Sequence, residues 1–329
     1  MKHLSLAGLD VTRLGLGLMG MSSAYTGAHS DDAESIRTIH RALDLGVTFF
    51  DTAESYGPYT NERLAGKALA GRWDQVVIAT KFGYYSHRDG TAEPTERQID
   101  SHPDNVRFVL EASLKRLGTD HVDLLYQHRV DPTVPIEDTI GAMAELVQQG
   151  KVRHIGMSEA AVSTIRRAHA VHPITALQYE YSLFTREPAE EILALSRELG
   201  IGFVSYSPLG RGILTGKVRD TKAMDPTDFR YGNPRYADEN MAHNLALVDE
   251  VEAIGRETGA TPAQVAIAWV LAQGDDIAAI PGTKAVARLE ENAVADGLEL
   301  TKDQLARLDG LQPAAGDRYV GINAAQAGL

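Results

Sequence analysis

The sequence predicts an α/β fold of the (β/α)8 (TIM) barrel type. Short apolar runs alternate with amphipathic helical segments about eight times, which is the number of strand–helix units in such a barrel. The chain has 329 residues, and barrels of this type commonly form a single domain of about 250 residues or more. The alternative is a doubly wound parallel sheet, which uses the same units in smaller number.

The first unit illustrates how the elements are located. Asp31 and Glu34 resemble a capping box, Ile39 and Leu43 follow at helical spacing, and Gly46 ends the predicted helix. The same reasoning predicts strands at residues 14–18, 47–50, 75–79, 122–126, 152–157, 175–178, 202–206 and 277–280. It predicts further helices at residues 62–69, 103–118, 135–150, 162–170 and 305–311.

We expect one domain over residues 1–329, because no repeat, linker or low-complexity segment divides the chain. Residues 215–240 are rich in Asp, Arg, Gly and Pro and are predicted to form a long loop. Residues 301–329 form a predicted C-terminal tail. Loops at the mouth of a barrel commonly determine substrate choice, so we expect both segments to shape the substrate site.

Composition excludes several classes of function. The net charge of −13 disfavours nucleic acid and anionic lipid as partners. There is no cysteine, which excludes disulfides and thiolate metal ligands and fits a reducing cytoplasm. We find no signal peptide, membrane span or histidine motif for a metal, so we expect a cytoplasmic protein without a metal site. The sequence leaves the oligomeric state open.

One glycine motif is a misleading match. Gly15, Gly17 and Gly20 fit the G-x-G-x-x-G pattern of dinucleotide-binding folds. In those folds the last glycine opens directly into a helix that holds the pyrophosphate, whereas here a turn-like segment follows. We therefore interpret these glycines as strand positions where another backbone or a ligand approaches closely.

Four polar side chains follow or end three consecutive predicted strands: Asp51, Tyr56, Lys81 and His128. Each alone has an ordinary structural explanation, such as a turn carboxylate, a packed aromatic ring or a surface lysine. In a barrel, however, the carboxyl ends of the strands converge at one mouth. Together the four fit proton transfer to a carbonyl oxygen during hydride addition. A lysine cation is expected to lower the pKa of the tyrosine, and a histidine to orient the substrate oxygen.

With these residues and the segments Gly156–Ala160 and Tyr206–Gly212, the chain resembles the aldo-keto reductases over nearly its whole length. The resemblance implies that Tyr56 is the general acid, that Asp51 and Lys81 tune it, and that His128 orients the carbonyl. It also implies an NADP(H) cofactor, with Asp51 counted among the groups of that site.

The same resemblance implies a set of cofactor contacts. Ser158 and Gln178 would bind the nicotinamide carboxamide, and Tyr206 would stack on the nicotinamide ring. Glu159 stands where many members have Asn, and a carboxylate accepts hydrogen bonds but donates none. The ribose and pyrophosphate would be lined by Gly20, Met21, Ser207, Leu209, Arg211 and Gly212.

The segment from Ile280 to Asn292 carries the last motif, a strand followed by Gly282 and a predicted helix. Lys284 and Arg288 are one helical turn apart in this interpretation and could bind the 2′-phosphate of NADP. The alternative is a solvated basic face next to acidic residues. The resemblance places the adenine near Glu291 and Asn292.

The predicted function is NADPH-dependent reduction of aldehydes or ketones to alcohols. Two alternatives are a nicotinamide-binding regulatory subunit or sensor of the same fold, and a barrel lyase or epimerase without the cofactor. The second would leave Lys284, Arg288 and Tyr206 without a shared purpose. The physiological substrate is not readable from the sequence.

Overall fold

The structure is a computed structural model that describes residues 1–22, 25, 31–187, 189–221 and 224–319. A hairpin of β1 (His3–Leu6) and β2 (Leu9–Thr12) precedes the barrel. The barrel strands are β3 (Leu16–Gly17), β4 (Phe49–Asp51), β5 (Val77–Phe82), β6 (Val122–Gln127), β7 (Val152–Ser158), β8 (Ala176–Glu180), β9 (Gly202–Tyr206) and β10 (Ile277–Ile280).

The helices lie between and after the barrel strands. They are α1 (Asp32–Asp44), α2 (Thr60–Leu69), α3 (Pro103–Leu117), α4 (Ile136–Gln148), α5 (Val162–Val171), α6 (Ala189–Leu199), α7 (Asp238–Thr258), α8 (Pro262–Ala272), α9 (Val286–Ala293) and α10 (Lys302–Asp309). Among the described residues, no helix has the length and apolar character needed to cross a membrane.

The eight barrel strands are parallel and are arranged in chain order from β3 to β10. Bridges from Leu14 to Ala279 and from Gly17 to Gly282 join the first strand region to the last. The (β/α)8 prediction is therefore confirmed.

The N-terminal glycines lie at this closing seam, where strands approach closely. A Cβ atom at Gly17 would lie 2.9 Å from the carbonyl oxygen of Ile280, and one at Gly15 would lie 2.8 Å from that of Phe49. The α1 helix does not begin until Asp32, so the dinucleotide-fold interpretation is excluded, as predicted.

The β1–β2 hairpin was not predicted. Its two-residue turn, Ala7–Gly8, has positive φ at both positions, as a tight hairpin turn requires. Leu6 and Val11 are fully buried and pack with Phe49 and other residues of the barrel interior. The hairpin therefore fills the barrel from the amino-terminal end of the strands, and the carboxyl ends face the opposite opening.

The helices α6, α7 and α8 were not predicted, and other local details also differ from the predictions. Asp31 caps α1 by accepting hydrogen bonds from Ala33 N and Glu34 N, but the Glu34 carboxylate does not complete a capping box. It accepts instead from the backbone N of Val286, the first residue of α9. Residues 215–240 hold a short 3-10 helix and the start of α7 as well as loop, and part of this segment and of the predicted tail lies outside the described residues.

Candidate active site

Lys81 is the centre of a hydrogen-bonded group at the carboxyl ends of β4 and β5. Its Nζ donates to Asp51 Oδ1, to the Thr52 carbonyl oxygen at 2.8 Å and to the Tyr56 hydroxyl at 3.1 Å. Asp51 pairs with Ala79 across the two strands, and Lys81, two residues further along, projects to the same side. Lys81 is fully buried, so its ammonium has little contact with water.

The electrostatics of Tyr56 differ from the sequence-based expectation. Burial raises the pKa of Tyr56 well above its usual value, and the negative charge of Asp51 raises it further. The sequence-based expectation considered the lysine but not burial, which is the largest cause of the raised pKa, and Asp51 acts in the same direction as burial. Burial lowers the pKa of Lys81 itself, while Asp51 opposes that change. The site therefore holds a protonated phenol beside a buried ion pair.

His128 follows β6 and lies on the other side of Tyr56. The ring centroids of the two residues are 5.9 Å apart in an edge-on arrangement, and Tyr84 packs against His128 at 4.5 Å. Burial lowers the pKa of His128 well below its usual value, and the positive charges of Lys81 and Arg129 act in the same direction. A neutral imidazole can donate one hydrogen bond and accept another.

A cleft of about 980 Å³ extends from these residues to the start of α9. Three of the four candidate catalytic residues line it, and Lys81 lies directly behind Asp51 and Tyr56. All but one of the predicted cofactor residues also line it: Gly20, Asp51, Ser158, Gln178, Tyr206, Ser207, Leu209, Arg211, Gly212, Gly282, Lys284, Arg288, Glu291 and Asn292. The exception is Met21, whose side chain is buried in the main core.

Side chains from β7, β8 and β9 form the wall beside the catalytic group. Gln178 donates to Asp51 Oδ2 at 2.8 Å, and Ser158 accepts from Arg129 at 3.3 Å. The Tyr206 hydroxyl donates to Glu159 Oε1 at 2.8 Å. These contacts hold the Gln178 amide, the Ser158 hydroxyl and the Tyr206 hydroxyl at one end of the cleft.

Glu159 does not line the cleft but anchors the C-terminal segment. Its carboxylate is buried and accepts hydrogen bonds from Glu180 N, the Tyr206 hydroxyl and the Arg318 guanidinium, the last at 2.6 Å. The Tyr319 hydroxyl lies 2.9 Å from that of Tyr206. The sequence left open whether Glu159 contacts a nicotinamide, and its oxygens are already engaged within the protein.

The segment after β9 has an unusual backbone. Ser207 and Arg211 in this segment, together with Glu159 after β7, are three of the five non-glycine residues with positive φ in the described part of the chain. Such strained conformations cluster at functional sites, and runs of them expose backbone N–H groups that bind anions. The Arg211 side chain pairs with Glu180 at 2.6 Å and lies over the rings of Phe229 and Tyr319.

The far end of the cleft is basic, but its local structure differs from the prediction. Because α9 begins at Val286, Lys284 lies before the helix and is not one helical turn from Arg288. Both still line the cleft. The acidic neighbours pair elsewhere, Glu290 with Arg41 and Glu291 with Lys217. Arg288 is exposed and Lys284 is half-buried, so the phosphate site at this end of the cleft stays a prediction.

Sequence reasoning missed several residues of the cleft. Tyr84, Arg97 and Arg129 line the end of the cleft near His128. Phe229 and Tyr319 line the side near Arg211. Arg129 could have been found, since it directly follows His128 in the sequence. The contacts of Tyr319 could not, because it lies 113 residues after its partner Tyr206.

The fold and the site define a barrel whose strand ends present an Asp–Lys–Tyr–His group to a long cleft. The profile of the Aldo/keto reductase family matches residues 13–313, and the chain belongs to this family. It is accordingly an oxidoreductase that acts on carbonyl groups, and the family uses NADP(H).

Solved structures agree with this placement. The glycerol dehydrogenase AKR11B4 from Gluconobacter oxydans is 28% identical, with a TM-score of 0.86, covering 97% of this chain and 98% of that one. The thermostable aldo-keto reductase Tm1743 is 30% identical, with a TM-score of 0.76 and coverage of 95% and 100%. The aldo-keto reductase AKR11C1 from Bacillus halodurans is 25% identical, with a TM-score of 0.75 and coverage of 96% and 97%.

Proposed function

We propose that this protein reduces aldehydes and ketones to alcohols with NADPH as the preferred cofactor and Tyr56 as the general acid. The observation that carries the proposal is the position of Lys81, whose Nζ donates to both Asp51 and the Tyr56 hydroxyl beside the cleft. The closest non-catalytic alternative is a nucleotide-binding regulatory protein of the same fold. A complete proton-donating group favours catalysis over that alternative.

The residues of the cleft fit a nicotinamide dinucleotide. Ser158 and Gln178 offer a hydroxyl and an amide for the carboxamide, and the Tyr206 ring offers a stacking surface. At the other end Lys284 and Arg288 supply positive charge for a 2′-phosphate. Gly282 lines the cleft without a side chain, and a Cβ there would lie 3.3 Å from Gly17 O.

When bound, the cofactor supplies a hydride to the carbonyl carbon. Tyr56 donates its phenolic proton to the carbonyl oxygen, so the aldehyde becomes an alcohol and Tyr56 becomes a phenolate. Lys81 donates a hydrogen bond to that phenolate oxygen and stabilises it. Asp51 holds Lys81 in its charged form, and neutral His128 donates a hydrogen bond that orients the substrate oxygen. Tyr56 then recovers its proton from solvent.

Tyr56→Phe tests the general acid. We expect kcat for aldehyde reduction to fall by about 10²–10⁴-fold, because general acid catalysis typically contributes that much. The Kd for NADPH, measured by fluorescence titration, should change little because the phenol ring remains. Tyr59→Phe is the matched control, since its hydroxyl donates to the Pro94 carbonyl oxygen and Tyr59 is not among the described residues that line the cleft.

Two results would contradict the proposal. A kcat for aldehyde reduction in Tyr56→Phe equal to that of the wild-type enzyme would exclude Tyr56 as the general acid. Tight NADPH binding by the wild-type protein without reduction of any aldehyde or ketone would favour the regulatory alternative.

A further inference from the structure

Arg129 is a buried cation at the substrate end of the cleft. It is 7% exposed and immediately follows His128. One terminal nitrogen donates to the His128 carbonyl oxygen at 2.6 Å and to Ser158 Oγ at 3.3 Å. Its Nε is buried without a hydrogen-bond partner in the described structure. A guanidinium has five N–H donors, so part of this group remains available.

Four other cations around the cleft have a carboxylate partner. Arg211 pairs with Glu180, Arg230 with Asp228, Arg318 with Glu159 and Lys81 with Asp51. Within the described residues, Arg129 has no carboxylate oxygen within 4.0 Å. A buried charge without a counter-charge is costly, so its retention requires an explanation.

Arg129 and a second cation, Arg97, both lie near the aromatic ring of Tyr84. The guanidinium carbon of Arg97 is 4.9 Å from the centroid of Tyr84, and that of Arg129 is 5.8 Å from it. Both arginines line the cleft, with Arg97 exposed at its mouth. Tyr84 in turn packs against His128. Positive charge therefore surrounds the position where a substrate carbonyl would meet His128 and Tyr56.

We propose that the preferred substrates are carbonyl compounds that carry a carboxylate, bound by Arg129 with Arg97 at the entrance. This rests on the proposed function, because it assigns the substrate class of the same site. The planar guanidinium matches a carboxylate through two parallel hydrogen bonds. A carboxylate fits better than a phosphate, since one buried cation neutralises a single negative charge and Arg97 is screened by solvent.

The test compares 4-carboxybenzaldehyde with its methyl ester, which has the same ring and aldehyde but no charge. We expect the wild-type enzyme with NADPH to prefer the acid by about tenfold or more in kcat/KM, in line with one charge-assisted hydrogen bond. In Arg129→Gln the ratio of the two kcat/KM values should fall to about one. Arg97→Gln should lower the ratio less, and added salt should reduce the contribution of Arg97.

Several outcomes would overturn the inference. A wild-type ratio near one would do so, as would a uniform fall for both substrates in Arg129→Gln, which would indicate that Arg129 only positions Ser158. A stronger preference for 4-formylphenyl phosphate would assign phosphate compounds instead.

A measurement on the unmodified enzyme covers the case in which Arg129→Gln fails to fold. Benzoate should inhibit reduction of the methyl ester competitively, whereas benzamide should not, and equal inhibition would contradict the proposal. Failure to reduce either aldehyde would overturn the proposed function itself, whereas failure of the inference alone leaves reduction of the ester intact.

Discussion

The proton that reaches the substrate oxygen comes from a phenol that burial keeps protonated. A phenol with a raised pKa is a weak acid, but an alkoxide formed by hydride addition is a far stronger base than a phenolate. Lys81 contributes mainly after the transfer begins, because its hydrogen bond to Tyr56 strengthens as negative charge develops on that oxygen. The residues are thus arranged for the transition state rather than for a preformed phenolate.

The pKa directions predict a flat pH profile for reduction. Burial raises the pKa of Tyr56 well above its usual value, so the phenol stays protonated as the pH rises. Burial lowers the pKa of His128 well below its usual value, so the imidazole stays neutral until the pH is strongly acidic. We expect kcat for aldehyde reduction, measured with saturating NADPH, to vary less than about threefold from pH 6 to 9.

A matched variant separates the contribution of His128. His128→Asn keeps a neutral hydrogen-bond donor and should lower kcat while leaving the profile flat. A wild-type kcat that changes tenfold across a single ionisation near pH 6.5 would contradict the neutral state of His128 in the functional range.

At the scale of elements, the strand ends could be predicted because strand patterns are local in sequence. Asp51, Lys81 and His128 each end or follow an apolar run, and barrel topology brings such positions together. The partner of Glu159 could not be predicted in this way. Arg318 lies 159 residues away, in a segment with no strong periodicity, and only the packed fold joins the two.

The ion pair of Glu159 and Arg318 should hold the segment before Tyr319 against the barrel. Asn244 also binds this segment, through hydrogen bonds to the backbone of Ala315. Glu159→Gln would leave a buried guanidinium without its counter-charge, a change that typically costs about 3–5 kcal/mol. We expect that cost to appear as release of the segment, measured as faster amide hydrogen exchange at residues 314–319.

The double variant Glu159→Gln with Arg318→Met provides the control. Because it removes both charges, exchange should be slower than in Glu159→Gln alone. Unchanged exchange in the single variant would mean that the ion pair does not anchor this segment.

At the scale of the whole molecule, the barrel fold could be predicted from the number and order of strand–helix units. The β1–β2 hairpin that fills one end of the barrel could not. The β1 and β2 strands have only four residues each, too few for a periodic signal that distinguishes them from a loop. The charge distribution was also only partly foreseen. The chain has a net charge of −13, yet its cleft carries Arg97 and Arg129 at one end and Lys284 and Arg288 at the other.

Hydride chemistry at Tyr56 and NADP recognition near α9 are assigned to opposite ends of one cleft. The most direct test measures initial rates of NADPH and NADH oxidation with methyl 4-formylbenzoate as the substrate. The wild-type enzyme, Arg288→Met and the control Arg41→Met, which lies outside the cleft in an ion pair with Glu290, would be compared. We predict aldehyde-dependent oxidation with kcat/KM about tenfold or more higher for NADPH than for NADH, and loss of that preference only in Arg288→Met. Equal use of both nucleotides would contradict the phosphate site, and no aldehyde-dependent oxidation of either would contradict the assignment of carbonyl reduction to this cleft.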